Sequence, residues 1–106
     1  MTVTRESEAL ERLRHMEERY NEACALMDQA EVALATIEAL EQTMIPLMDQ
    51  YSSSWMNDRE VAIKAGEHLV VTGEDEVWNL YSRQCALMAK LLADSSHFFT
   101  DDLLGD

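Results

Sequence analysis

The sequence predicts an all-α fold: one long N-terminal helix packed against a shorter C-terminal helix, with a short helix between them, as a small helical bundle. Three observations carry this expectation. Among 106 residues there are only 3 glycines and 1 proline, which disfavours a turn-rich β architecture. Apolar residues recur three and four apart through nearly half the chain, the spacing of one helix face. With 47% hydrophobic and 27% charged residues, the composition is that of a folded chain and not of a disordered acidic one. At this length one domain, residues 1–106, is expected, burying about two-thirds of its surface.

The first helix is expected over residues 5–50. Leu13, Met16, Tyr20, Ala23, Met27, Ala30, Leu34, Ile37, Met44, Met48 and Tyr51 fall on one coiled-coil-like seam, interrupted only by Glu41. From Leu26 a second row, with Ala33, Leu40 and Leu47, widens that seam to the stripe of a helix in a globular bundle. Arg14, Asn21, Asp28 and Gln42 keep the far side polar. Thr4 is placed to cap the helix, and Glu6 and Glu8 suit the positive end of its dipole. At 1.5 Å per residue such a helix is roughly 70 Å long if straight. Pro46, which lacks a backbone donor, is expected to kink it near its end. A helix of this length outruns any core the remaining residues can build, so dimerisation is one expectation. Ala23 and Ala30 are small enough to admit another helix closely, either a second copy or the chain's own last helix. Glu41, a carboxylate on the seam, calls for a frayed edge or a cation such as Arg83 or Lys90.

The serines of YSSSWMND offer the backbone competing hydrogen bonds and should break the helix. Asn57 with Glu60 has the spacing of a capping box, which predicts a short helix over 58–65 ending near Gly66. HLVVTG reads as an extended connector. Thr72 is then placed to cap a third helix over 73–93, with Glu74, Asp75 and Glu76 in its first turn. Its apolar residues, Val77 and Trp78 through Leu91 and Leu92, cover more than half its circumference, so it should be covered on two sides. In the tail, 94–106, Phe98 and Phe99 are placed either to clasp the bundle or to meet a partner.

Lys and Arg number 8 against 21 Asp and Glu, a formal charge of −13. That sign argues against nucleic-acid binding, which rests on cations meeting phosphates. Two cysteines, Cys24 and Cys85, are too few for a disulfide framework and read as free buried thiols. The N-terminus carries no signal-like apolar core, and no stretch approaches the roughly 20 apolar residues of a membrane span. No membrane partner is therefore expected, and the cytoplasm is the expected location.

Chemistry-bearing patterns are few. The chain has no C-x-x-C, no H-E-x-x-H, no Gly-rich phosphate loop and no paired E-x-x-H. His15, His68 and His97 with Cys24 and Cys85 lack metal-ligand spacing, so no metal, cofactor or catalytic residue is expected. The acids of TGEDE match helix capping and not a catalytic pair. Two binding candidates remain. Tyr51, Trp55 and Asp58 gather aromatic surface and a carboxylate at a bend, either as a recognition surface or as a structural plug in which Asp58 caps a helix or bonds the indole N–H. Between Asn21 and Asn57 there is no Lys or Arg, while Glu22, Asp28, Glu31, Glu38, Glu41 and Asp49 fall there. Glu31 and Glu38 mark this anionic face, which serves either solubility or the docking of a basic partner.

Three stretches together resemble a family of small bacterial proteins known only as a domain of unknown function. They are Met16, Glu17, Tyr20, Glu22 and Ala23; then Tyr51, Ser53, Trp55 and Asp58; then Val71, Gly73, Glu74, Asp75, Val77, Trp78 and Leu80. The resemblance runs from about Met16 to Leu92, with Gly73 and Trp78 standing where serine and tyrosine are usual. It implies a helical fold and bacterial origin, and it supplies no catalytic residues. The functional expectation is a non-catalytic acidic protein that binds another protein and inhibits or masks a basic partner. The alternative is a bundle that binds a small molecule or metal near Tyr51, Trp55, Asp58 and His68.

Overall fold

The computed structural model describes residues 2–102. In chain order it contains α1 (Thr2–Ser53), α2 (Trp55–Lys64), one 3-10 turn (Val70–Thr72), α3 (Glu76–His97) and a closing π-helical turn (Phe98–Asp102). The described residues contain no strand, so the chain is all-α with a long N-terminal, a short middle and a C-terminal helix. It divides into two units, Met1–Thr43 and Met44–Asp106.

In the first unit every described residue is helical. Thr4 lies inside α1, which begins at Thr2, so Thr4 is not the cap that its position before the charged run predicts. Short-range bonds decorate the surface. Arg14 pairs with Glu11 at 3.4 Å, and His15 sits between Glu11 at 3.2 Å and Glu18 at 3.6 Å. The Thr36 and Thr43 hydroxyls donate to the carbonyls of Val32 and Ala39 one turn earlier. Such bonds give a mid-helix threonine hydroxyl a partner within its own helix. The seam residues Leu13, Met16, Tyr20, Met27 and Leu34 are exposed, and Ile37 and Glu41 are half-exposed.

In the second unit α1 continues through Pro46 to Ser53. The serines act as expected in kind, donating back to the chain: Ser52 to Met48 O at 2.9 Å and Ser53 to Asp49 O at 2.8 Å. The interruption is a single residue, Ser54, and backbone bonds cross it from Ser54 N to Gln50 O and from Asp58 N to Ser54 O. α2 therefore starts at Trp55, three residues before the predicted start, with Ser54 and not Asn57 at its N-cap and no side-chain cap bond. Helical bonds run up to Ser54 and restart from it, which places Ser54 and not Asn57 at the cap position. At its other end the prediction holds. Gly66 has φ +83°, Glu67 N–H donates to Ala62 O and Gly66 N–H to Ile63 O, the paired bonds of a Schellman motif.

The connector departs from its extended reading, because Val70–Thr72 forms a 3-10 turn. The Thr72 hydroxyl is spent on Leu69 O at 2.6 Å, so it does not cap α3. That helix begins at Glu76 behind Asp75, and it runs to His97, four residues beyond the predicted end. The π turn then carries Phe98 and Phe99, both exposed and packed edge-to-face on each other at 5.1 Å. The last tail residues, 103–106, lie outside the described residues. Lys90, a candidate partner for Glu41, pairs with Asp94 on its own helix at 3.0 Å. Met44 and Val77, each 4% exposed, are the buried apolar residues of this unit, worth roughly 2 kcal/mol apiece on burial.

Candidate functional site

The residues singled out at the bend come together around Trp55, though not all of them. Helical bonding across Ser54 puts Tyr51, Trp55 and Arg59 at i, i+4 and i+8, on one face. The Tyr51 and Trp55 rings lie 4.8 Å apart, tilted by 44°, and the Arg59 guanidinium stands 5.7 Å from the Trp55 ring centre. Such stacking adds about 1 kcal/mol per contact. The indole N–H of Trp55 donates to Val71 O at 2.7 Å, and Arg59 Nε–H donates to Thr72 O at 2.7 Å. Two neighbouring side chains of α2 thereby grip two successive carbonyls of the 3-10 turn.

Asp58 is not part of this grip. It is exposed in the first turn of α2, where its charge suits the helix dipole, and the indole N–H that it was a candidate to accept goes to Val71. Arg59 and Val71 are the members that sequence reasoning missed. For Arg59 the signal was present in its four-residue spacing from Trp55. For Val71 none was, because a backbone acceptor has no residue-type signature.

A cleft of about 90 Å³ opens beside the clasp, lined by Leu47, Gln50, Tyr51, Trp55, Val71 and Val77. A second, about 300 Å³, shares Leu47, Val71 and Val77 and adds Leu80, with charges of both signs from Glu76 and Arg83. The first has room for a few water molecules, and the second sits at the lower bound for small-molecule pockets. His68 is exposed in the connector and lines neither cleft. Among the described residues no three His, Cys, Asp or Glu side chains gather as a metal site.

Cys24 and Cys85 are free, but both are exposed, which corrects the buried reading: they occupy helix positions with little packed over them. On α3 the Tyr81 phenol is hydrogen-bonded to Cys85, one turn on. That bond, then the thiolate's negative charge and partial burial, push the Tyr81 ionisation above 10.0.

The anionic candidates lie in the first unit. Glu31 and Glu38 are seven residues apart, two turns of helix, and therefore share a face; both are exposed, as are Glu22 and Asp28. With no Lys or Arg between Asn21 and Asn57, Asp28, Glu31 and Glu38 have no cation within a helix turn of them in sequence, whereas Glu22 has Arg19 three residues before it. Among the described residues no helix is long and apolar enough to cross a membrane.

Comparison with curated proteins and with solved structures gave no significant match. A family model does match, over residues 13–93, which takes in the seam of α1, the Trp55 clasp and most of α3. The chain belongs to that family, whose description is Domain of unknown function (DUF4298).

Proposed function

We propose that the protein works in the cytoplasm by binding another protein, without catalysing a reaction, and that its partner is basic. The observation that carries this reading is the set of exposed carboxylates Glu22, Asp28, Glu31 and Glu38, the last two sharing a face, within a stretch that has no Lys or Arg. A field of one sign along several helix turns accelerates encounter with an opposite charge, and it suits a role in masking or inhibiting a cationic surface. The Trp55 clasp is, in this reading, structural: its indole and guanidinium donors are already engaged with backbone.

The test is capture of partners from the native host at low salt, followed by association kinetics with whatever protein is recovered. Recovery of a basic protein is expected, with an on-rate that falls steeply as salt rises past about 0.1 M, where screening acts within about 10 Å. The double variant Glu31→Lys/Glu38→Lys should lose it. Retention of the same partner by that variant, or recovery of acidic proteins only, overturns the proposal.

A further inference from the structure

The first unit presents a seam that its own residues leave uncovered. Leu13, Met16, Tyr20, Leu26, Met27 and Leu34 are each 56–66% exposed, whereas scattered apolar residues on a soluble surface do not align at heptad spacing. In heptad terms the a positions are Leu13, Tyr20, Met27 and Leu34 and the d positions are Met16, Ala23, Ala30 and Ile37. A glutamate stands at the a position beyond either end, Glu6 and Glu41. The stretch between them is about four heptads long, and past Glu41 the repeat resumes with Met44, Met48 and Tyr51 in the second unit. A single straight helix drifts by about 20° per heptad against a strict 3.5-residue repeat, so a sustained repeat is the signature of a helix that supercoils with another. The surface supplies an independent sign. A depression of about 330 Å³ is lined by Leu13, Met16, Glu17 and Tyr20, at i, i+3, i+4 and i+7. Four residues so spaced form the hole that receives one side chain of a facing helix in knobs-into-holes packing.

The sizes along the seam identify what faces it. In an antiparallel pair of identical helices a faces d, and with the two-fold axis level with residue 25 the facing residues have numbers summing to 50. Leu13 then meets Ile37 of a second copy, Met16 meets Leu34, Tyr20 meets Ala30 and Ala23 meets Met27. Every layer joins a large side chain to a small one, or two of middle size, as close packing demands. A parallel pair stacks Tyr20 on Tyr20 and Ala23 on Ala23, alternating crowded and empty layers. Charge favours the same choice. Arg12, Arg14 and Arg19 lie at one end of the seam among Glu11, Glu17 and Glu18, which leaves that end close to neutral, while Glu31, Glu38 and Glu41 lie at the other, which has no cation. Antiparallel pairing lays these ends side by side, and parallel pairing lays the anionic ends together. A parallel pair gains an Arg12–Glu17 contact on each side and an antiparallel pair sets Glu17 near Glu31 of the second copy, but exposed pairs of that kind contribute only a few tenths of a kcal/mol each.

We propose that the residue 9–41 segment of α1 is a self-association surface that binds a second copy of this chain as an antiparallel coiled coil, with its two-fold axis level with residue 25. This proposal does not rest on the basic-partner reading, because it uses the apolar seam and leaves Glu22 and Asp28, on the far side of the helix, open to solvent.

The experiment uses the full chain. Sedimentation equilibrium should give twice the 12.1 kDa chain mass. Ala30→Arg, at the centre of the seam, should give the single-chain mass with helical circular dichroism retained outside the seam. Orientation is read by disulfide formation in a background with Cys24→Ser and Cys85→Ser. Chains carrying Tyr20→Cys mixed with chains carrying Ala30→Cys should cross-link, and so should Leu13→Cys mixed with Ile37→Cys. Ala30→Cys alone should not, because its two copies lie about ten residues apart along the axis, roughly 15 Å. A single-chain mass for the wild type overturns the proposal, as does a trimer or larger assembly. Self-cross-linking by Ala30→Cys with no Tyr20–Ala30 product overturns the antiparallel arrangement.

Discussion

The indole N–H of Trp55 donates to the backbone carbonyl of Val71 across 2.7 Å, tying α2 to a turn sixteen residues further on. Arg59, on the same face of α2, does the same for Thr72 O. The 3-10 turn precedes α3 by only a few residues, so these two bonds help set where α3 begins. Trp55→Phe keeps an aromatic ring beside Tyr51 and removes one donor. It should cost about 1 kcal/mol in urea unfolding followed by Trp78 fluorescence. Trp55→Ala, which also removes half-exposed ring area, should cost about 2 kcal/mol. Arg59→Ala and Trp55→Phe should couple by about 0.5 kcal/mol or more in a double-mutant cycle, since the guanidinium packs on the indole. Strict additivity would show that the two bonds act independently.

Gly66 carries the chain out of α2 at φ +83°. An added Cβ there meets nothing within 4 Å, so any cost of Gly66→Ala is conformational and not steric. The left-handed region penalises an L side chain by about 1–2 kcal/mol, and asparagine tolerates it better than alanine. Gly66→Ala should therefore lower the unfolding midpoint, with Gly66→Asn between it and the wild type. Gly73 is the opposite case. Its φ is negative, but a Cβ would stand 2.8 Å from Glu76 Cγ and 3.2 Å from Val70 O. Loss of stability in Gly73→Ala should be partly recovered by adding Glu76→Ala, and Gly66→Ala should be indifferent to that change.

These two glycines show where the sequence was informative. The end of α2 was legible because only glycine suits a left-handed C-cap, and a glycine stood where the helical pattern stopped. The all-α class and the long first helix were legible for the same kind of reason, from a repeat sustained over many turns. Starts were less legible. Thr4, Asn57 and Thr72 all have the chemistry of a cap, yet each lies inside a helix or binds a nearer carbonyl. At the bend, Tyr51 and Trp55 were found through aromatic content, and Asp58 was grouped with them through proximity in sequence alone. The structure sorts them by helix face, so Arg59 joins the clasp and Asp58 stays in solvent. Glu31 and Glu38 needed only the seven-residue spacing to be placed on one face.

The Tyr81–Cys85 bond makes a prediction about alkaline pH. In the folded chain that bond, followed by the thiolate charge and partial burial, raises the Tyr81 ionisation above the 10.0 of a free phenol. Below pH 10.0 the phenol is protonated in both folded and unfolded chains, and the contribution is fully present. Above that point the unfolded chain releases its proton first, so stability falls as pH rises through the folded value. A tyrosinate absorbance titration of the folded protein should show one phenol ionising late, and Cys85→Ala should bring it back toward 10.0. The same substitution should flatten the fall in stability over that alkaline window. An unchanged titration in Cys85→Ala would assign the late phenol elsewhere.

Pro46 lies well inside α1, with seven helical residues after it. A proline there lacks the N–H that would bond the carbonyl four residues earlier, and its ring crowds that carbonyl, at a cost of about 3 kcal/mol relative to alanine in a regular helix interior. The side chain is exposed, so replacing it removes little packing. Pro46→Ala should therefore raise the urea midpoint of the second unit, by an amount corresponding to about 1–3 kcal/mol, with an unchanged denaturant slope. The neighbours set the condition under which this fails. Leu47 lines both clefts together with Val77, and if Pro46 fixes how Leu47 is set beside Val77, relaxing the helix opens those clefts. A fall in stability for Pro46→Ala, accompanied by a change in Trp55 fluorescence, would show that the proline is retained for the geometry of that contact and is not merely tolerated.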